Sequence, residues 1–449
     1  MNVRVRMAPS PTGNLHIGTA RTALFNWLYA KKNGGTLILR IEDTDTERST
    51  KEFEKDIIEQ LTWLGITWQE GPIRQSERLH IYEGYLRQLL AQGRAYWCNC
   101  TKEDLEIKRK AMMEAGIAPK YDGHCRDKKI TESPDAVIRF IMPERVFSFT
   151  DLVRGKIKFN MGLVGDIVIA KNLKSPLYNF AVVIDDHEMA ITHVIRGEDG
   201  IANTPKQLAI QEALGFKHPH YGHVPLILDP DRAKMSKRNA ATGLKEYREA
   251  GYLPEALINF LALLGWHPVD NRETFTPDEL AYAFDIARVQ KAGAVFSIEK
   301  LNWMNAHYIK KMSDTELAEK IGWEQTEKNL KLIALLKPRA QTLLDFTAHS
   351  ALFFNLPEYE TTLLTWKDMQ QNDIIKSLKR CADAIHIGRA ADIPVLAETY
   401  GKGETYWPLR VALSGQKESP SPMEIISVLG KEESIRRIEH AITKLSTHE

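Results

Sequence analysis

The sequence predicts an α/β protein: a Rossmann-like, doubly wound parallel sheet carrying an inserted domain and followed by an α-helical domain. Three observations predict it. Strand and helix signals alternate from the N-terminus, a mixed stretch with three cysteines interrupts them, and helical periods fill the chain beyond Ser313. The 449 residues suit about three domains. Hydrophobic residues at 43% and charged residues at 27% exclude disorder as a global description.

The first strand is expected at Val3 to Met7, where apolar residues alternate with Arg4 and Arg6 and so place both arginines on one face. A turn-rich loop, Ala8-Pro9-Ser10-Pro11-Thr12-Gly13, precedes a helix from about Ile17 to Asn33, stopped by Gly34-Gly35. Thr36 to Ile41 reads as the next strand, and Ser49-Thr50-Lys51-Glu52 as a capping box opening a helix to Leu64. Residues 1–74 are therefore read as the first half of the α/β domain. Residues 75–177, with Cys98, Cys100 and Cys125, read as an insertion, and Tyr178 to Arg196 as a strand-rich return to the sheet. Residues 178–220 complete the α/β domain, 221–312 form a largely helical region, and 313–449 form a helical domain opened by a capping box at Ser313-Asp314-Thr315-Glu316.

Lys plus Arg at 60 against Asp plus Glu at 59 gives a net charge of +1, so a nucleic-acid partner would be held by local basic patches. The apolar stretch Leu257 to Trp266 is far shorter than the ~20 residues of a membrane span. The N-terminus lacks the apolar core of a leader peptide, and a cytoplasmic location is expected. Four cysteines do not make a disulfide framework in so long a chain. Cys381, alone in a helical stretch, reads as a core residue.

The loop from Ser10 through Thr19 falls at the carboxyl end of the first strand, where open α/β sheets bind ligands. Amides at a helix N-terminus favour phosphate there, His16 can donate to a phosphoryl oxygen, and Gly18 allows close approach to the backbone. Far downstream, Lys234-Met235-Ser236-Lys237-Arg238 gathers three cations in five residues. Either feature alone has a bland reading, a loop histidine or a solvated charge run. No Gly-x-x-x-x-Gly-Lys-Ser/Thr loop is present, so ATP would not be held in that manner.

Together, the histidine loop after the first strand and the Lys-Met-Ser-Lys loop beyond the sheet form the signature pair of class I aminoacyl-tRNA synthetases. Arg6-Met7-Ala8-Pro9-Ser10-Pro11-Thr12-Gly13, Arg40-Ile41-Glu42-Asp43-Thr44-Asp45, Tyr178-Asn179-Phe180-Ala181 and Ile195-Arg196-Gly197-Glu198-Asp199 make the chain resemble the bacterial glutamyl-tRNA synthetase family. The resemblance continues through Trp407-Pro408-Leu409-Arg410. His16-Ile17-Gly18-Thr19 departs from the class pattern, which ends in His, in the way usual for this branch.

The resemblance implies ATP with Mg2+, L-glutamate and tRNA-Glu as ligands and partners, tRNA-Gln as an open second acceptor, no membrane, and a monomer. It places ATP against Pro9, Gly13, His16, Gly18, Lys234, Ser236, Lys237 and Arg238, with His16 and Lys237 catalytic. Glutamate would lie among Arg6, Ser10, Glu42, Tyr178 and Arg196. A side-chain carboxylate needs a fixed cation, and arginine offers a bidentate pair that glutamine would not match. Trp366, Lys376, Lys379, Arg380, Trp407, Arg410, Arg436 and Arg437 stand in the region that would read the anticodon, although core aromatics and solvated faces account for most such residues.

Cys98, Cys100 and Cys125 have the softness for one Zn2+. Zinc-carrying members of the family place a histidine two residues after the third cysteine, where this chain has Asp127. Asp127 is the expected fourth ligand, with Tyr121 or His124 as substitutes and simple reduced thiols as the competing reading. Two other functions keep the same catalytic half: a tRNA-base-glutamylating enzyme, which lacks the helical domain, and a synthetase-derived tRNA-binding paralogue, which would lose charged site residues that are all present here.

Overall fold

The computed structural model describes residues 2–233, 235 and 243–447. Strand β1 (Arg4–Met7) runs parallel to β2 (Thr36–Ile41), with Arg6 opposite Ile38. Between them, α1 (Ile17–Lys32) starts at His16, whose ring accepts the Thr19 amide at 3.3 Å, and ends on Lys31 and Lys32, cations that suit the helix's carboxyl end. Gly35 is required by a close approach: a Cβ there would lie 2.4 Å from the Val3 carbonyl oxygen.

Helix α2 (Lys51–Trp63) corrects the expected cap. Thr50, not Ser49, is the capping residue, its hydroxyl accepting the Phe53 amide at 3.2 Å. The hydroxyl of Ser49 is instead buried without a partner. Strand β3 (Glu70–Arg74) completes a parallel β1-β2-β3 order.

The next segment holds α3 (Leu79–Ala91), β4 (Ala95–Cys98), α4 (Lys102–Glu114), β5 (Val137–Phe140), β6 (Val146–Asp151), β7 (Gly155–Asn160) and β8 (Ile167–Ala170). Strands β4, β5 and β8 make a separate antiparallel sheet. The β6–β7 hairpin does not join it; β6 pairs with a strand of the large sheet through Asp151 and Tyr221.

Tyr178 to Glu188, expected as strand, is helix α5. The run Phe180-Ala181-Val182-Val183-Ile184 is buried throughout, and a short apolar run carries no period by which to tell a buried helix from a buried strand. Strand β9 (His193–Gly197), α6 (Thr204–Leu214) and β10 (His220–Val224) follow. β9 lies beside β1: the Thr192 amide donates to the Arg4 carbonyl and the Arg4 amide to Thr192 Oγ1, both at 2.9 Å. From β1 the chain winds outward through β2 and β3, and from β9 the other way through β10. The gap between β1 and β9 is thus the topological switch point, where a sheet of this kind opens a crevice.

Beyond it come β11 (Ile227–Leu228), α7 (Leu244–Glu249), α8 (Pro254–Leu263), α9 (Pro277–Ala283), β12 (Ala294–Val295) and α10 (Ile298–Lys311). The chain divides into two compact units, residues 1–249 with 254–301, and 250–253 with 302–449.

The second unit is helical: α11 (Asp314–Ile321), α12 (Glu327–Leu336), α13 (Leu344–Phe354), α14 (Gln371–His386), α15 (Ile393–Tyr400), α16 (Lys402–Ser414) and α17 (Pro422–Ser446). The expected capping box is formed: Ser313 Oγ accepts the Glu316 amide at 3.2 Å, and Glu316 accepts the Ser313 amide at 2.8 Å. Arg437 is a core residue, 1% exposed, donating to the Leu352 and Leu413 carbonyls at 2.7 Å. Trp407 packs on Trp366 and donates to the Leu363 carbonyl at 2.9 Å, and Arg436 pairs with Glu433. Cys381 is buried, as expected.

Candidate active site

A cavity of about 450 Å³ opens at the switch point. Arg6 and Met7 reach it from the end of β1, His16, Gly18 and Thr19 from the start of α1, and Glu42 from just past β2. Tyr178 enters from the first turn of α5 and Arg196 from β9. Residues as far apart in the chain as Arg6 and Arg196 therefore meet because β1 and β9 are neighbours in space. His16 lies on the α1 side, its Nε2 2.8 Å from Thr19 Oγ1. A Cβ on Gly18 would sit 3.2 Å from the His16 ring, so glycine leaves room for the imidazole itself.

A buried charge network underlies one wall. Arg40, fully buried, donates to Asp186 at 2.7 Å and to Glu42 at 2.9 Å, and Arg6 meets Asp186 at 3.1 Å. Burial pushes the Asp186 carboxyl upward, but the guanidiniums of Arg6 and Arg40 outweigh it and hold it below the usual range. At Glu42 burial wins over the same two cations, and its pKa is raised. The neighbouring Asp185 accepts from Gln75 and Arg78 at 2.8 Å and from Tyr82 at 2.7 Å, tying α5 to the segment that leads into α3.

Arg196 is held differently. Its Nε donates to His223 Nε2 at 3.1 Å and its Nη2 to Thr204 Oγ1 at 2.8 Å, while Nη1 lies 3.5 Å from the Tyr178 hydroxyl. Among the described residues no carboxylate pairs with it. Of the three arginines that line the cavity, Arg6 is thus already neutralised by a buried aspartate and Arg21 is occupied by the Leu264 and Pro225 carbonyls, whereas Arg196 keeps its charge, with Nη1 toward Tyr178, for an anion.

Ser10 does not line this cavity. It faces an adjoining one of about 560 Å³ that shares Glu42 and Tyr178 as a common wall and carries Lys171 and Lys174. Pro9 is buried, its carbonyl accepting the Glu42 amide at 3.0 Å, and neither it nor Gly13 lines either cavity. Lys234, Ser236, Lys237 and Arg238 lie outside the described residues. Met235 lines the first cavity, and Gly243 bridges to His16.

The three cysteine sulfurs lie within 4.8 Å of one another, Cys100 and Cys125 at 3.5 Å. Asp127 is not among them. The Tyr121 hydroxyl lies instead 3.3 Å from Cys98 Sγ and 3.5 Å from Cys100 Sγ, because the turn before Cys125 folds back under the phenol, whose oxygen accepts the Cys125 amide at 3.1 Å. Burial raises the Cys98 thiol, but hydrogen bonds from Tyr121, the Cys100 amide and Arg139 bring it down to about 7. Three convergent thiols with one electropositive flank fit a soft divalent cation.

Asp151, Asp186, Thr204 and His223 escaped the sequence reading. The one available signal was Asp185-Asp186 inside an apolar run, since buried carboxylates require partners.

Residues 2–303 match the family described as tRNA synthetases class I (E and Q), catalytic domain, and residues 298–442 match an anticodon binding domain. A glutamate–tRNA ligase of Carboxydothermus hydrogenoformans is 43% identical, the match covering 97% of this chain and 99% of the relative. One from Geobacter sulfurreducens is also 43% identical, covering 99% of both. The crystal structure of a glutamate tRNA ligase from Elizabethkingia meningosepticum, in complex with its amino acid, superposes with a TM-score of 0.88 at 36% identity, covering 99% of this chain and 100% of that one. A two-sided crevice at the switch point, a histidine-capped helix beside it and matches spanning nearly the whole chain have one meaning: the protein belongs to the class I aminoacyl-tRNA synthetases of the glutamate and glutamine branch.

Proposed function

We propose that this protein is a glutamate–tRNA ligase, joining L-glutamate to the terminal adenosine of tRNA-Glu at the expense of ATP. The observation that carries the reading is Arg196, a buried arginine in the cavity with neutral partners only, which suits the side-chain carboxylate of glutamate and not the amide of glutamine. Glu42, which also lines the cavity, is placed for the substrate ammonium, and Arg6 and Tyr178 supply further donors. Ser10 belongs to the adjoining cavity, which is large enough to receive a terminal nucleoside beside the shared Glu42–Tyr178 wall.

In the first step an oxygen of the glutamate α-carboxylate attacks the α-phosphorus of ATP in line. The new P–O bond forms as the bond to the β-phosphate breaks, giving glutamyl-adenylate and pyrophosphate. His16 at the head of α1, the helix amides and Lys237 stabilise charge on the phosphoryl oxygens, and positioning supplies most of the acceleration. Mg2+, when bound, neutralises the departing pyrophosphate. In the second step a ribose hydroxyl of the terminal adenosine attacks the acyl carbon, the ester forms, AMP leaves and the hydroxyl proton passes to solvent. Residues 75–177 are assigned to the acceptor end, 221–312 to the inner stem and 313–449 to the anticodon.

The thiol cluster would hold one Zn2+ through Cys98, Cys100 and Cys125, with Tyr121 nearer to hand than Asp127 as the fourth group. Metal analysis of protein purified without chelator tests this: about one zinc per chain supports it, and well under one removes it. The reaction itself is tested by charging with labelled glutamate and ATP, using tRNA-Glu and tRNA-Gln separately. Glutamate on tRNA-Glu is expected, label on tRNA-Gln would identify a second acceptor, and charging of neither would overturn the reading.

A further inference from the structure

The arginine that faces the cavity is the end of a chain of hydrogen bonds that crosses three adjacent strands. In β10, Tyr221 pairs with Asp151 of β6, and two residues on His223 pairs with Arg196 of β9. The His223 imidazole, fully buried, therefore stands between the two. Its Nδ1 lies 2.6 Å from Asp151 Oδ2, and the His223 backbone amide donates to the same carboxylate at 3.1 Å. Oδ1 of Asp151 accepts the Val153 and Arg154 amides, each at 2.9 Å, so the carboxylate cannot rotate without losing them.

This geometry fixes the tautomer. An acidic partner at 2.6 Å demands the proton on Nδ1, and Nε2 is then a bare acceptor for Arg196 Nε at 3.1 Å. Thr204 Oγ1 accepts Arg196 Nη2 at 2.8 Å, and its own O–H has the bare His223 Nε2 at 3.1 Å and the Gly200 carbonyl at 3.3 Å as acceptors. The guanidinium is thereby gripped on two of its three nitrogens by groups that carry no charge, and Nη1 alone is left toward Tyr178 and the cavity. Burial lowers the His223 pKa, with Asp151 pulling against it, consistent with a neutral ring.

We propose that Asp151 and His223 are positioning residues for Arg196: the carboxylate sets the histidine tautomer, the histidine sets the guanidinium, and selection of glutamate over glutamine depends on both although neither meets the substrate. The inference rests on the reading of Arg196 as the cation for the side-chain carboxylate. It follows the same logic by which an aspartate fixes the tautomer of a catalytic histidine in the serine-protease triad.

Asp151→Asn is the sharpest test. The asparagine carbonyl keeps the Val153 and Arg154 amides at Oδ1, so its NH2 faces Nδ1, drives the proton to Nε2 and sets an N–H against the Arg196 Nε–H. In tRNA charging assays this variant should raise KM for glutamate about tenfold or more while kcat and KM for ATP stay within about threefold. Its preference for glutamate over glutamine should fall about as far. His223→Leu should match it, and His223→Gln, which offers a carbonyl oxygen near the Nε2 position, should restore glutamate KM to within about threefold. If Asp151→Asn does not give soluble protein, Thr204→Val carries the same expectation by removing the nearer of the two Nη2 acceptors, the other being the Gly200 carbonyl at 3.1 Å.

Glutamate KM unchanged in Asp151→Asn or His223→Leu would overturn the proposal, as would a loss confined to kcat with KM intact. An unmodified enzyme indifferent to glutamate would overturn the underlying reading of the pocket, and the positioning role with it.

Discussion

Replacing Arg40 by methionine removes a cation that is wholly buried among Glu42 at 2.9 Å, Asp186 at 2.7 Å and Asp185 at 3.9 Å. Asp186 keeps Arg6, and Asp185 keeps Gln75, Arg78 and Tyr82, so the residue stranded by Arg40→Met is Glu42. Breaking one side of a buried ion pair costs about 3–5 kcal/mol. Protonation caps the penalty at Glu42, because the carboxyl escapes its charge by taking a proton at about 1.4 kcal/mol per pH unit above its ordinary value of 4.5. The cap is then about 4 kcal/mol at pH 7.5 and about 1.4 kcal/mol at pH 5.5. The sign follows from proton counting: a carboxyl raised in the folded state binds more protons there than in the unfolded chain, so the variant recovers stability as pH falls. Amide exchange of β1, β2 and α5, compared with unmodified protein at the same pH, reads this within the first unit. Exchange should quicken up to about 10³-fold at pH 7.5 and about tenfold at pH 5.5. A deficit that is constant or grows toward pH 5.5 would refute the reasoning.

Arg196→Ala should cost about 2–5 kcal/mol of transition-state stabilisation, a loss of about thirtyfold or more in kcat/KM for glutamate, read in the charging assay against an unchanged KM for ATP. Thr50→Ala should destabilise the first unit by about 1 kcal/mol in urea unfolding, whereas Ser49→Ala should change it by less than about 0.5 kcal/mol, because only Thr50 caps α2. Lys237→Ala should slow adenylate formation in a single turnover while calorimetric glutamate affinity holds; an unchanged rate would remove that lysine from the first step.

Local signals announced much of this fold and less of its site. The alternation around Arg4 and Arg6, the lysines and glycines ending α1 and the box at Ser313 are short-range features that decide their own backbone. Helix α5 was hidden because a run buried on every side has no amphipathic period. Arg6, Glu42, Tyr178 and Arg196 were found by the motifs around them and do converge on one cavity. Their supports were not, since Asp151 and His223 stand 72 residues apart and nothing local links an aspartate in one strand to a histidine in another. Asp127 stands outside the thiol cluster for a related reason: ligand spacing along the chain says nothing of where a turn will throw a side chain, and here the turn sets the Tyr121 hydroxyl against the sulfurs.

The seam between β1 and β9 also bears on how the protein is made. Its backbone bond from the Thr192 amide to the Arg4 carbonyl joins residues 188 positions apart, a span the ribosome takes about 10–40 s to add. For that interval β1, β2 and α1 exist as an open edge, with Arg6 and Arg40 lacking the aspartate that later encloses them. The intervening segment, with a sheet of its own, can settle first. The crevice that gathers the substrates then arises after the intervening sheet and before the helical unit that follows, and it closes only when the chain returns to where it began.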